Sequence, residues 1–312
     1  MELIRSIHNL RPKHAGCVAT IGKFDGVHLG HKQILMQLKA KSKAFGLPSL
    51  VILFEPHPSE FFNAEKAPAR LNSLATKLTY LAQEGVDRVL CLAFNDALSA
   101  MSADDFIDDV LAVKLAVKHF VVGDDFRFGK GRQGSFSLLQ ERGAQLGFSV
   151  ESTLTYQLDG VRVSSTKLRE ALAVHDFELA YALADRAFAI TGRVMHGQKL
   201  ARTFGVPTAN VKTTKYNQPL KGVYAVLVKT ASLQVFQGVA NIGKRPTVDG
   251  LKSVLEVNIF DFEDDLYGQK ITVEFRAFLR EEQKFADLAQ LKTAILNDVD
   301  TAKTYFRRVT NQ

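Results

Sequence analysis

Two cysteines in 312 residues leave no material for a disulfide framework or a thiolate metal centre. Cys17 and Cys91 each sit in an apolar run without metal or redox spacing, so both read as buried thiols suited to a reducing cytoplasm. No apolar stretch is long enough to span a bilayer, and Met1-Glu2-Leu3-Ile4-Arg5 lacks the pattern of a signal peptide. No internal repeat or low-complexity segment separates the parts of the chain, so a short linker between domains is expected. What is present is ordinary for a globular chain: 46% hydrophobic and 23% charged residues. The length predicts two domains. A formal charge of +7 favours polyanionic small molecules such as ATP, and would also fit weak nucleic-acid binding.

The most informative stretch runs from Cys17 to His31. Cys17 to Ile21 reads as a buried strand, Gly22 and Gly26 bracket a turn around Phe24, and Ile34, Leu35 and Leu38 recur at helical spacing. A helix therefore opens between His28 and His31. Free N–H groups and the positive end of its dipole make that opening an anion site. His28 and His31 lie three apart, on one face of the first turn. Gly30 between them lets a ligand approach the backbone. Two imidazoles there can hydrogen-bond phosphate oxygens and stabilise charge on a leaving pyrophosphate. The plainer alternative is one histidine capping the helix and the other in solvent. A zinc site is the weaker option, because no nearby cysteine or carboxylate completes a ligand set.

Beyond this point strands and helices alternate. Strands are expected at 50–54, 88–94, 120–122 and 148–150. Helices are expected at 72–84, after a Ser102 cap, and at 136–146. The pattern predicts a parallel, Rossmann-like sheet with helices on both faces and ligands beyond the carboxyl ends of its strands. His28, His57 in Glu55-Pro56-His57-Pro58, and Asp124 all follow strand ends and are expected on one rim. Two further segments belong there. In Gly123-Asp124-Asp125-Phe126-Arg127-Phe128-Gly129-Lys130-Gly131-Arg132, the cations suit phosphates and Asp125 a ribose or base edge; a plain surface loop is the other reading. Ser164-Ser165-Thr166-Lys167-Leu168-Arg169 begins a capped helix with hydroxyls and Arg169 near one turn.

After a short helix at 177–184 the period changes. Strands are expected at 187–194, 222–229, 235–242, 253–262 and 271–279, the signature of a closed barrel. A last helix with Leu288, Leu291, Ile295, Ala302 and Phe306 on one stripe is expected to pack on it. Leu255, Val257 and Ile259 face one way and Glu256 and Asn258 the other. That alternation leads to the expectation of a barrel with the Glu256 carboxylate aimed inward. Thr191 to Arg202, containing Gly192, Gly197, Lys199 and Arg202, can cradle a phosphate. In Pro207-Thr208-Ala209-Asn210 a hydroxyl and an amide oxygen share a face, a set that suits Mg2+ holding nucleotide phosphates.

Together these motifs resemble a known family. Gly22 to His31 resembles the H-x-G-H signature of nucleotidyltransferases, in the form found in bacterial bifunctional riboflavin kinase/FAD synthetases. Gly123 to Gly129 and Ser164 to Arg169 are similar to that family's G-x-[ND]-F-R-F-G and S-S-T-x-x-R elements. Pro207 to Asn210 and Gly238 to Thr247 resemble its kinase motifs. The resemblance implies that His28, His31 and Arg169 act in adenylyl transfer to FMN. Gly22, Phe24, Gly26, Gly30, Asp125, Arg127, Ser164, Ser165 and Thr166 would surround that nucleotide. It further implies that Thr208 and Asn210 ligate Mg2+ and that Glu256 is the base for riboflavin phosphorylation. Gly192, Gly197, Lys199, Arg202 and Pro207 would lie at the second nucleotide, with Asn258, Arg276 and Arg280 bordering the flavin. His57 has no assigned role beyond shaping the pocket. Departures are Asp125 for a frequent Asn, Ala201 for Gly, Val206 for Phe and Glu281 for Pro.

The expected division is an FAD synthetase domain over 1–184 and a riboflavin kinase barrel over 185–312. The implied partners are riboflavin, FMN and ATP, with Mg2+ as cofactor and FMN and FAD as products. Neither nucleic acid nor membrane is expected, and the assembly is a monomer or weak homo-oligomer. Two alternatives remain: adenylylation of another phosphate ester, or a nucleotide binder joined to an RNA-binding barrel. The first leaves Thr208, Asn210 and Glu256 unexplained. The second lacks the stacked aromatics of common RNA readers.

Overall fold

The computed structural model describes residues 1–123, 126–196, 204–214, 216–247 and 250–310. The chain divides into two compact units: Met1–Pro68 with Asn72–Ser165, and Ala69–Leu71 with Thr166–Gln312.

The first unit runs β1 (Glu2–Arg5), β2 (Cys17–Ile21), α1 (Leu29–Phe45), β3 (Ser49–Glu55), α2 (Pro58–Phe62), α3 (Leu74–Gln83) and β4 (Arg88–Ala93). It continues through α4 (Asp96–Ala100), α5 (Ala103–Asp105) extended by a π-helical stretch (Phe106–Lys114), β5 (Val117–Gly123), α6 (Phe136–Leu146), β6 (Ser149–Thr153) and the short hairpin β7 (Gln157–Leu158) and β8 (Val161–Arg162). Strands β1 to β6 form one sheet in the order β1-β4-β3-β2-β5-β6, with every neighbouring pair parallel. Strand β2 is buried along its whole length. Side-chain alternation sends Val18 to the core beneath α1 and α3, with Leu35, Leu38 and Leu81, and Ala19 and Ile21 to the opposite core with Phe106, Val110 and Leu139. The thiol of Cys17 lies in that second core, and burial pushes it up to about 12. The chain turns from one side of β2 to the other between β4 and β5. The crevice at the carboxyl ends of β2 and β5 is therefore where such a sheet binds ligands.

The second unit contains α7 (Ser165–Ala173), α8 (Phe177–Ala184), β9 (Ala189–Met195), β10 (Ala209–Val211), β11 (Gly222–Lys229), β12 (Val235–Thr247), β13 (Gly250–Ile259), β14 (Lys270–Arg280) and α9 (Leu288–Thr310). The six strands close into an antiparallel barrel in the order β10-β13-β12-β11-β14-β9. Tyr224, Val226, Ile242, Leu255, Val257 and Phe275 are buried, and the register places Tyr224, Ala240 and Val257 in one row across the wall. The alternate row, Val223, Ala225 and Val239, packs against Ala302 and Phe306 of α9. The stripe on α9 is shorter than expected, because Leu288 is 58% exposed at the helix start. Arg280 and Asp298 fix the helix to β14 through two parallel bonds of 2.7 Å each.

Asp298 is nearly buried and Arg280 mostly so. Asp298→Ala leaves the guanidinium without its fork partner, and urea unfolding of the variant is expected to show a loss of about 1–3 kcal/mol.

Candidate active sites

The turn after β2 sets the first site. Gly26 is at φ 85°, and Phe24 and Val27 adopt φ 46° and 39°, left-handed values that side chains rarely take. Both side chains are buried in the core under α1, which offsets the cost. Asp25 is buried as well: its Oδ1 accepts from Asn72 N–H at 3.2 Å, and its carbonyl accepts from Ser165 Oγ at 2.8 Å. The chain then enters α1 with His28 as its cap. His28 Nδ1 accepts the His31 N–H at 3.4 Å, and the two rings stack at 3.7 Å between centroids. The Phe24 ring lies 4.9 Å from the His31 ring, tilted by 34°. Capping and presentation at the helix start are thus one arrangement, and the two sequence readings for the pair do not compete.

Both histidines line a cleft of about 230 Å³ with Gly30, Ile34, Gly123, Thr153, Ser164 and Ser165. A Cβ on Gly30 would meet Val163 O at 3.1 Å and the His28 ring at 3.3 Å, so the glycine keeps the floor open. Thr153 to Tyr156 and Arg162, from β6 and the following hairpin, form another wall that sequence reading did not single out. The same edge of the sheet carries an aromatic cluster. Phe94 meets Phe54, Phe61 and Phe62 edge-on at 5.4 to 5.8 Å, and Phe62 is 69% exposed.

In the barrel the register aligns three polar residues. Glu256 on β13 lies directly opposite Asn210 on β10 and Asn241 on β12. Glu256 and Asn210 are half-buried, and Asn241 Oδ1 is buried without a hydrogen-bond partner. Asn258, on the same face of β13, donates its amide to Pro207 O at 2.7 Å and so fixes the turn that carries Thr208. By register this face is the one that carries Val223 and Val239 against α9. The expectation of an inward carboxylate is therefore corrected: a six-stranded barrel is too narrow for more than its own apolar side chains, and Glu256 stands on the outer wall. Thr208 also borders a cavity of about 560 Å³ with Val194, Val257, Phe262, Asp264 and Tyr267.

Comparison with known proteins follows the same two units. The FAD synthetase family profile matches residues 10–167, and the riboflavin kinase profile residues 184–306. The bifunctional riboflavin kinase/FMN adenylyltransferase of Pseudomonas fluorescens is 55% identical over 304 residues, 97% of each chain. Its counterpart from Escherichia coli K12 is 50% identical over 307 residues, 98% of each. This chain belongs to the bifunctional riboflavin kinase/FMN adenylyltransferase family. A solved structure described as a macrolide-efflux protein from Streptococcus pneumoniae is 26% identical and superposes with a TM-score of 0.77, covering 96% of this chain and 97% of that one. No described helix here is long and apolar enough to cross a membrane.

Within the family frame, the expected residues divide as follows. Gly30, His28, His31, Ser164 and Ser165 meet at the first cleft, with Gly22, Phe24 and Gly26 in its supporting turn. Arg127 is exposed, its Nη1 donating to Phe126 O at 3.0 Å. Thr166 and Arg169 belong to the second unit, where Arg169 Nε donates to Ala69 O at 2.6 Å. His57 is buried against Lys77. Asp124, Asp125, Gly197, Lys199, Ala201 and Arg202 lie outside the described residues. On the kinase side, a side chain at Gly192 would run into the Lys212 backbone, so this glycine permits close strand approach. Arg280 is held by Asp298, and Arg276 pairs with Glu274 along its own strand.

Proposed function

We propose that the chain makes FAD from riboflavin in two ATP-dependent steps, phosphorylation at the barrel and adenylylation at the sheet. What supports this reading is that an FAD synthetase profile and a riboflavin kinase profile match the two parts of the chain in turn, with the His28–His31 cleft in the first and the Glu256–Asn210–Asn241 row in the second. We assign residues 1–184 to adenylylation and 185–312 to the kinase, working in the cytoplasm as a monomer or weak homo-oligomer on riboflavin, FMN and ATP.

In the kinase step, the terminal ribityl hydroxyl of riboflavin attacks the γ-phosphorus of ATP, and ADP leaves. Glu256 takes the hydroxyl proton. Its half-burial beside Asn210 and Asn241 supports that role. Thr208 and Asn210 would hold Mg2+; their hydroxyl and amide oxygens and the unsatisfied Asn241 oxygen are the hard donors such an ion takes. The ion supplies charge neutralisation at the ATP phosphates. The apolar floor of the Thr208 cavity, Val194 and Val257, suits an adenine ring.

In the second step, an FMN phosphate oxygen attacks the α-phosphorus of ATP and pyrophosphate departs. His28 and His31 bind the phosphates and stabilise the leaving group from the start of α1, where the helix dipole adds to their hydrogen bonds. Ser164 and Ser165, which line the same cleft, complete the nucleotide set. The exposed Phe62 on its aromatic cluster offers a flat apolar surface for the isoalloxazine ring.

Incubation with riboflavin and Mg-ATP, followed by chromatography of riboflavin, FMN and FAD, tests both steps in one sample. His31→Ala is expected to lower FAD formation from FMN by roughly 10²-fold while FMN formation from riboflavin continues. Glu256→Gln is expected to do the reverse, reducing riboflavin phosphorylation by about 10²-fold or more. A kinase rate within a few-fold of the parent would move the base to another residue.

A further inference from the structure

The turn that presents His28 and His31 carries two non-glycine residues at positive φ, Phe24 and Val27. Each is a strained conformation that persists only where its surroundings hold it. Behind the turn lies a side chain that the adenylylation chemistry does not use. Lys77, on α3, is 1% exposed. Its ammonium donates to Lys23 O at 2.6 Å and to His57 Nε2 at 3.1 Å. His57 is positioned in turn by its own N–H, which donates to Glu60 Oε2 at 2.8 Å. A buried charge is expensive, and packing alone would be served better by methionine.

We infer that Lys77 is a positioning residue for adenylyl transfer: it clamps the Lys23 carbonyl and holds the strained turn in its anion-binding form. Because a peptide unit is planar, fixing Lys23 O toward α3 turns the Phe24 N–H to the opposite side. This inference rests on the assignment of adenylylation to the His28–His31 cleft.

The test compares Lys77→Met and Lys77→Arg in the full chain, with riboflavin phosphorylation in the same samples as reference. Lys77→Met is expected to lower kcat for FAD formation by about 10- to 100-fold, with KM for FMN within about threefold. Lys77→Arg, which restores charge and donors at some cost in fit, is expected to recover most of that loss. The inference is overturned if Lys77→Met stays within about threefold of the parent, if it equals or exceeds Lys77→Arg, or if the loss falls on KM alone. Should Lys77→Met abolish the unfolding transition of the first unit, Lys77→Gln takes its place: the same kcat loss supports the inference, and a rate within about threefold of the parent overturns it. If His31→Ala also leaves FAD formation intact, the site assignment itself fails and takes this inference with it.

Discussion

A parallel strand buried on both faces has no water along its length, so its polar business is transacted at its end. Strand β2 is such a strand, and everything in the first unit depends on how the backbone leaves it. The exit is a turn with three positive φ values, held from below by the Phe24 and Val27 side chains in the core and from behind by Asp25 and Lys77. Its product is a helix start with two stacked imidazoles facing a cleft, at the positive end of the helix dipole. Hydrophobic burial on one side of the turn thus supports anion chemistry on the other.

The barrel reaches a comparable result by a different constraint. Six strands enclose only enough room for their own apolar residues, so polar side chains must stand outside. Outside, a lone glutamate would be ordinary surface. Here the strand register lines it up with two asparagines, and the α9 helix covers the neighbouring apolar part of the same wall. The helix is held there by a bidentate ion pair as well as by Ala302 and Phe306.

Much of this was legible in the sequence because periodicity records burial. The run Cys17–Ile21, the helix Phe136–Leu146 and the strand Gly222–Lys229 all appear where their patterns predict. Short elements escaped. Strand β1, with four residues, and the β7–β8 hairpin, with two per strand, carry too few side chains to set a period, yet the hairpin region walls the cleft. Strand β10 has three residues, and only its pairing places Asn210 opposite Glu256. Motif reading singled out His28, His31 and Thr208 because their chemistry is unusual at that spacing. It could not see what depends on distant partners: Arg280 is paired with Asp298, eighteen residues on, and Gly192 is packed against the Lys212 backbone. Lys77 belongs to the same class, an ordinary helical lysine until tertiary structure buries it.

The two thiols have a practical consequence. Both are buried, and Cys17 is held protonated far above neutrality by the apolar core around it. Alkylating and disulfide-forming reagents therefore find Cys17 both shielded and protonated, and Cys91 shielded by burial. A cysteine engineered onto the surface would be far more accessible to a fluorophore or spin label than either.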